Sequence, residues 1–272
     1  IDNSPENPYV KAFWEWLPEI YPTLQTFRMT GGEPLMDKNT FRMFEYVKNN
    51  PKNDLHLSIT SNCCPPKGQW SKFMTSLKEI TDADAVDHFM LFCSLDSWGN
   101  QAEYIRNGMD FEMLKTNITD YLANSQKHSL TFIITFNALS YTRIVEYLKN
   151  IIKLRRKFSK RRQLIWFDIP PLHDPDFLNP KVMPEMITEL KLALKYMLEN
   201  KEGRGNQFMG FSDFEVSKVR RLIDWIESDT GFDKEKAMKN FYEFFSEHDR
   251  RRNTNFLNTF PELKDFWNRC KE

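Results

Sequence analysis

The chain has 272 residues, of which 40% are hydrophobic and 28% are charged. This composition excludes intrinsic disorder and allows one large α/β domain or a barrel with a helical extension. Lys+Arg and Asp+Glu both number 38, so the net charge indicates neither a nucleic-acid nor a membrane partner. No apolar run approaches the roughly 20 residues that span a bilayer, and no signal-peptide pattern is visible at the start. The four cysteines match neither a disulfide framework nor a zinc site, so we expect a protein of the reducing cytoplasm.

Short β-rich segments alternate with helical patterns along the first part of the chain. The predicted strands are Gln25–Met29, Leu55–Thr60, His88–Ser94, Leu130–Phe136 and Leu164–Ile169. The predicted helices are Pro8–Leu17, Lys38–Asn49, Gly68–Ile80, Asp110–Asn124 and Thr142–Phe158. Strand–helix–strand repeats of this kind predict an α/β fold with a parallel sheet. Five repeats are too few for a closed eight-stranded barrel, so we expect a partial, open parallel β/α barrel.

After Pro170 and Pro171 the pattern changes and no further strand is predicted. The later predicted helices are Pro184–Asn200, Asp213–Ser228, Asp233–Asp249 and Pro261–Cys270. We therefore expect two regions, a barrel over residues 1–180 and a helical C-terminal extension over residues 181–272.

Polar residues follow each predicted strand. They are Thr30–Pro34, Thr60–Asn62, Ser94–Ser97, Asn137 and Asp168–His173. Because ligands of parallel α/β sheets bind at the carboxyl ends of the strands, this pattern predicts a binding site.

The adjacent glycines Gly31 and Gly32 are the most informative feature of this set. Glycine lets the main chain approach a ligand without interference from a Cβ atom, and the carboxylate of Glu33 can accept hydrogen bonds from an ammonium group. Pro34 stiffens the turn. The alternative is a helix-capping turn, in which Glu33 stabilises the positive end of a helix dipole.

The segment Thr30–Leu35 resembles the GGEP motif of radical S-adenosylmethionine (SAM) enzymes. Ser61-Asn62 and Ser94-Leu95-Asp96-Ser97 match later motifs of that family in the right order, and Arg106 and Gly108 follow at similar places. The stretch Glu247–Asn253 is similar to the tail of members with a twitch-type extension. The resemblance runs over nearly the whole chain and is most specific at the glycine motif and at Ser94–Asp96.

The resemblance implies a set of SAM-binding residues. Gly31, Gly32 and Glu33 would hold the amino group of SAM through main-chain oxygens and the carboxylate. Arg106 would pair with the methionine carboxylate, because its planar fork suits a bidentate contact. The remaining residues of the implied cofactor site are Pro34, Ser61, Asn62, Ser94, Asp96, Asn137 and Asp168.

The resemblance also implies a 4Fe–4S cluster, reductive cleavage of SAM to a 5′-deoxyadenosyl radical, and an electron donor such as flavodoxin or ferredoxin. The radical would abstract hydrogen from a substrate that the sequence does not identify, a peptide, a nucleotide or a small metabolite. The sequence has no CxxxCxxC motif, and we expect the three cluster cysteines to lie upstream of this chain, which alone would be inactive. A cluster-free relative is the other explanation. The adjacent Cys63 and Cys64 cannot easily ligate the same 4Fe–4S cluster. We expect all four cysteines, which include Cys93 and Cys270, to be ordinary thiols.

Two other functions remain open. Glu33, Asp96 and Asp168 are candidates for the paired carboxylates of a barrel hydrolase, and a non-catalytic SAM-binding or partner-binding module would also fit the missing cysteines. The basic run Lys153–Arg162 indicates either a solvated helix end or a patch that steers a phosphorylated or nucleic-acid-like substrate.

Overall fold

A computed structural model describes residues 6–124, 128–158, 164–203, 208–228 and 231–272. Its strands are β1 (Thr26–Met29), β2 (Lys52–Ser61), β3 (Val86–Ser94), β4 (His128–Ile133) and β5 (Ile165–Asp168). Its helices are α1 (Pro8–Ile20), α2 (Lys38–Asn49), α3 (Lys67–Asp82), α4 (Asn100–Ile105), α5 (Phe111–Ala123), α6 (Ile144–Phe158), α7 (Ile187–Glu199), α8 (Asp213–Glu227), α9 (Lys234–Arg252), α10 (Phe256–Thr259) and α11 (Lys264–Arg269).

The strands form one five-stranded parallel sheet in the order β1-β2-β3-β4-β5. The register pairs Met29 with Ile59 between β1 and β2, and Ile59 with Leu91 between β2 and β3. Because each strand lies beside the next one in the chain, the helices that follow the strands act as crossovers, as the strand–helix repeat predicts. The α/β class and the parallel sheet are confirmed.

The chain divides into two compact units. Within the described residues, the first contains 6–93, 112–124, 128–131 and 164, and the second contains 94–111, 132–158, 165–203, 208–228 and 231–272. The predicted division near residue 180 remains a prediction. Among the described residues, no helix has both the length and the apolar character needed to cross a bilayer.

The core of the first unit is aromatic. Phe89 on β3 is fully buried and lies 6.0 Å from Phe44 of α2 and 5.9 Å from Phe73 of α3, measured between ring centroids. Such contacts add to the free energy gained by removing the rings from water. Helix α2 begins where the side chain of Asp37 accepts a hydrogen bond from the amide of Asn39 at 2.8 Å, a typical N-cap.

A second aromatic cluster forms part of the core of the second unit. Phe241 of α9 is completely buried and packs on Phe256 of α10 and Phe266 of α11, with ring centroids 5.5 and 5.1 Å apart. Tyr104 of α4 lies at the edge of this cluster and donates a hydrogen bond from its hydroxyl to Asp249 at 2.8 Å. The predicted tail similarity at Glu247–Asn253 thus falls on residues that join α9 to its neighbours.

The structure corrects several predicted boundaries. Strand β4 ends at Ile133 rather than Phe136. The amide of Thr135 donates to the carboxylate of Asp96 at 2.9 Å, although Ile134 and Phe136 still donate to the carbonyls of Asp168 and Pro170. Strand β2 begins at Lys52 rather than Leu55. Helices α4 and α10 were not predicted, since four to six residues are too short to show a helical period. Residues 159–162 of the predicted basic run lie outside the described part of the chain.

A buried ion pair joins α6 to α8 in the second unit. The guanidinium of Arg155 lies 2.5 Å from the carboxylate of Glu215, and both side chains are at most 2% exposed. Arg155 also donates to the carbonyl oxygens of Ile165 and Gly210, while Glu215 completes a capping box with Ser212 at the start of α8. Both charges of this pair are therefore compensated, which is the condition for tolerating a buried ion pair.

We expect Glu215→Gln to reduce the free energy of unfolding by about 3 kcal/mol, because Arg155 would be left as an uncompensated buried charge. Urea unfolding measures this change. The matched control is Glu199→Gln, whose carboxylate is 59% exposed and pairs with Lys195 at 4.0 Å, and there we expect a loss below about 0.5 kcal/mol. Equal effects of the two substitutions would contradict the prediction.

Candidate functional site

The turn after β1 presents an open main chain. Gly31 and Gly32 have φ angles of +96° and +52°, in the region that favours glycine. No atom outside the adjoining residues lies within 4 Å of the position that a Cβ atom would take at either glycine, and both residues are exposed. A ligand can therefore reach the peptide groups of this turn.

The carboxylate of Glu33 ties this turn to the end of β2. Its Oε1 accepts hydrogen bonds from the hydroxyl of Ser61 at 2.8 Å and from the amide of Leu35 at 3.1 Å, and its Oε2 accepts one from the amide of Asn62 at 2.8 Å. A carboxylate has about four acceptor positions, so three bonds leave capacity for one further donor. The bond to Leu35 caps the short 3-10 turn Pro34–Met36. Glu33 therefore also has the helix-capping role that was the alternative interpretation of this motif.

The residues after β2 are fixed by their own side chains. The hydroxyl of Ser61 accepts a bond from the amide of Cys63 at 2.9 Å, and Oδ1 of Asn62 accepts one from the amide of Cys64 at 2.8 Å. From α5, Asn117 donates to the carbonyl of Cys63 at 2.9 Å. This network holds Ser61 and Asn62 where they meet Glu33, so the structure brings together the implied site residues of the first unit.

The cysteines do not form a cluster site in the described residues. All four are free, and only Cys64 is not buried. Burial, followed by a hydrogen bond with the Cys93 thiol, raises the pKa of Cys63 well above its usual range, which disfavours the thiolate that binds metal. No group of three or more His, Cys, Asp or Glu side chains in the described ranges is placed to hold a metal ion. These residues therefore do not fit a 4Fe–4S cluster, whose ligands are thiolates.

In the second unit, Asp96 and Arg106 form an ion pair. Oδ2 of Asp96 lies 2.9 Å from Nε of Arg106, with side chains 8% and 31% exposed, and Oδ1 accepts the bond from the amide of Thr135. Burial raises the pKa of Asp96, although Arg106 and Thr135 oppose the rise. Arg106 has further N–H groups beyond Nε, so Asp96 orients a guanidinium whose terminal nitrogens can still bind an anion. Ser94 ends β3 and is half-buried.

Asn137 and Asp168, also predicted as site residues, have other local partners. The amide of the Asn137 side chain donates to the carbonyl of Thr135 at 3.0 Å, and its oxygen accepts from the amide of Leu139 at 2.9 Å. Asp168 lies 2.9 Å from the ammonium of Lys218 on α8. Their binding role remains a prediction. Lys218 carried no signal in the sequence, because it is 50 positions from Asp168 and belongs to an ordinary amphipathic helix.

Comparisons of this chain with protein-family models, curated proteins and solved structures found no match. The resemblance to radical SAM enzymes therefore rests on the motif residues themselves.

We expect Gly31→Ala to reduce the free energy of unfolding by about 1–2 kcal/mol, because an alanine at this φ angle is strained. Gly68→Ala in α3 is the matched control, since a Cβ atom at either position meets open space, and there alanine changes stability by about 1 kcal/mol or less in the favourable direction. Thermal unfolding of both variants measures the difference. A stabilising effect of Gly31→Ala would contradict the observed turn.

The stability of an Arg106→Gln variant should depend on pH. Without the cation, the pKa of Asp96 in the folded state should rise further. When a carboxyl has a higher pKa in the folded than in the unfolded protein, the free energy of unfolding falls as the pH increases from the unfolded-state pKa to the folded-state pKa. We expect the variant to lose about 1–3 kcal/mol at pH 7.5 and less at pH 5, where more of Asp96 is protonated. Urea unfolding at the two pH values is the measurement. An equal loss of stability at the two pH values would show that Arg106 does not affect the pKa of Asp96.

Proposed function

We propose that this chain binds SAM and forms the SAM-binding part of a radical SAM enzyme with an open parallel barrel. The observation that carries the proposal is the exposed turn at Gly31 and Gly32, backed by the carboxylate of Glu33. Main-chain oxygens of an open turn accept hydrogen bonds from an ammonium group without the competition of a side chain. The remaining acceptor position of Glu33 adds a charge-assisted bond to the same group.

The other end of the ligand requires a cation. SAM carries an α-carboxylate beside its ammonium and sulfonium, and a guanidinium fork is the side chain that best matches a carboxylate. The family resemblance assigns this role to Arg106, whose Nε lies 2.9 Å from the carboxylate of Asp96 within the second unit. In this proposal Asp96 is a positioning residue for Arg106, while Ser61 and Asn62 position Glu33.

Reductive cleavage of SAM uses the electron that a 4Fe–4S cluster supplies. Since the described residues bring no three thiolates together, we assign no step of that reaction to them. The radical reaction is proposed for a polypeptide that includes a CxxxCxxC segment, and a non-catalytic SAM-binding module is the alternative for one that does not.

The hydrolase alternative has less support. A paired-carboxylate mechanism needs one acid and one base that are free to exchange protons. Here Glu33 accepts three hydrogen bonds, Asp96 is paired with Arg106, and Asp168 with Lys218. Each of these carboxylates is therefore already engaged by a hydrogen-bond donor or a cation of the protein.

Calorimetric titration with SAM tests the proposal. We expect Glu33→Gln to weaken SAM binding about tenfold or more, because a glutamine has one oxygen for the three donors and no charge for the ammonium. The matched control is Glu45→Gln on the exposed side of α2, which should leave the affinity unchanged. Arg106→Lys should also weaken binding, since lysine lacks the fork.

The outcomes separate the candidates. Unchanged SAM affinity in both Glu33→Gln and Arg106→Lys would overturn the proposed site. If only one substitution weakens binding, the SAM site includes that residue and excludes the other. Release of 5′-deoxyadenosine after anaerobic reconstitution with iron and sulfide, in the presence of dithionite, distinguishes the enzyme from the binding module.

A further inference from the structure

One face of the sheet in the first unit is less covered than the other. Along β3, the side chains of Phe89 and Leu91 are 0% exposed, whereas the intervening Met90 and Phe92 are half-buried. Parallel strands are normally covered on both faces and lack such alternation. The face that carries Met90 and Phe92 is therefore available to a ligand, and it holds mixed apolar and polar side chains, as ligand sites do.

Arg28 lies on this face and is anchored at two points. In the sheet register it lies beside Ser58, which in turn lies beside Met90. Its Nε and Nη2 donate to the hydroxyl of Thr60 at 3.1 and 2.9 Å. Its Cζ lies 3.8 Å from the centre of the Phe92 ring. A hydroxyl and an aromatic ring thus fix both the position and the plane of the guanidinium.

The charge of Arg28 is not neutralised by an ion pair. Within the described ranges no carboxylate lies within 4.0 Å of Arg28, in contrast with Arg106, which pairs with Asp96. A guanidinium has five N–H groups, and the two bonds to Thr60 leave three of them for another acceptor. Arg28 is also exposed, so an external anion can reach it.

We propose that Arg28 binds an oxyanion of the substrate, a carboxylate or a phosphate, on the open face of the sheet. A fixed guanidinium with free donors and no counter-charge matches such a group, because its planar fork forms two parallel bonds to two oxygens. Preorganisation by Thr60 and Phe92 lowers the entropy that binding costs. That the anion belongs to a substrate rests on the proposed function, whereas the oxyanion site itself does not.

The test titrates the protein with inorganic phosphate or with acetate. Binding is monitored by the NMR resonance of the Arg28 Nε–H group. We expect a saturable shift with at least one of the two anions, and the anion that binds more tightly identifies the class. Arg28→Gln should weaken binding of that anion about tenfold or more. The matched control is Arg42→Gln, because Arg42 is also stacked on an aromatic ring, with its Cζ 3.9 Å from the centre of the Trp14 ring. It should leave the affinity unchanged.

Substitutions at Thr60 test whether the guanidinium is positioned. Thr60→Val removes the acceptor hydroxyl while keeping the shape of the side chain, and we expect binding to weaken by about threefold to tenfold. Thr60→Ser restores the hydroxyl and should restore the affinity. If valine and serine behave alike, the hydroxyl does not position Arg28.

The controls also separate this proposal from the proposed function. Arg28→Gln should change the SAM affinity less than twofold, and an equal loss for SAM and for the anion would assign Arg28 to SAM and overturn the proposal. Failure of both anions to shift the Arg28 resonance would overturn it as well. If wild-type protein binds phosphate or acetate through Arg28 but does not bind SAM, the proposed function fails and the oxyanion site stands.

Discussion

The hydrogen bonds to the carboxylate of Glu33 are the constraint on which the candidate site depends. Gly31 and Gly32 reach their positive φ angles without strain, but glycine has the most backbone freedom to lose, so this turn needs support to stay in one conformation. Ser61 and the amides of Leu35 and Asn62 supply that support at 2.8–3.1 Å. The same bonds fix the end of β2 relative to the turn. The open peptide groups are thus preorganised before any ligand arrives, so that little entropy remains to be lost on binding.

The charged side chains at the strand ends follow one electrostatic rule. Glu33, Asp96 and Asp168 each have a donor or a cation within 3 Å, because an isolated charge with reduced access to water is costly. Arg28 differs, since its neighbours are a neutral hydroxyl and a ring. Because Arg28 is held in place and has no counter-charge among the described residues, it is available to an external anion.

The sequence predicted the order and type of most elements, because strand and helix patterns are local. The glycine turn could also be predicted, since two adjacent glycines indicate a backbone conformation that other residues rarely adopt. The end of β4 was predicted wrongly, and the bond there from Thr135 to Asp96, which spans 39 positions, was not foreseen. The setting of Arg28 was missed because it depends on Thr60 and Phe92 on two other strands. Long-range partners leave no periodic trace in a sequence.

The alternation of covered and open side chains along β3 has a consequence for how this protein can change. Replacing Phe89 or Leu91, both 0% exposed, leaves a cavity and costs several kcal/mol, about 2–5 for a large residue reduced to alanine. Met90 and Phe92 are half-buried on the other face, and substitutions there alter what the sheet offers a ligand at a smaller structural cost. Mutational tolerance should therefore rise and fall with a period of two residues along this strand, leaving the open face free to acquire new specificity on an unchanged scaffold.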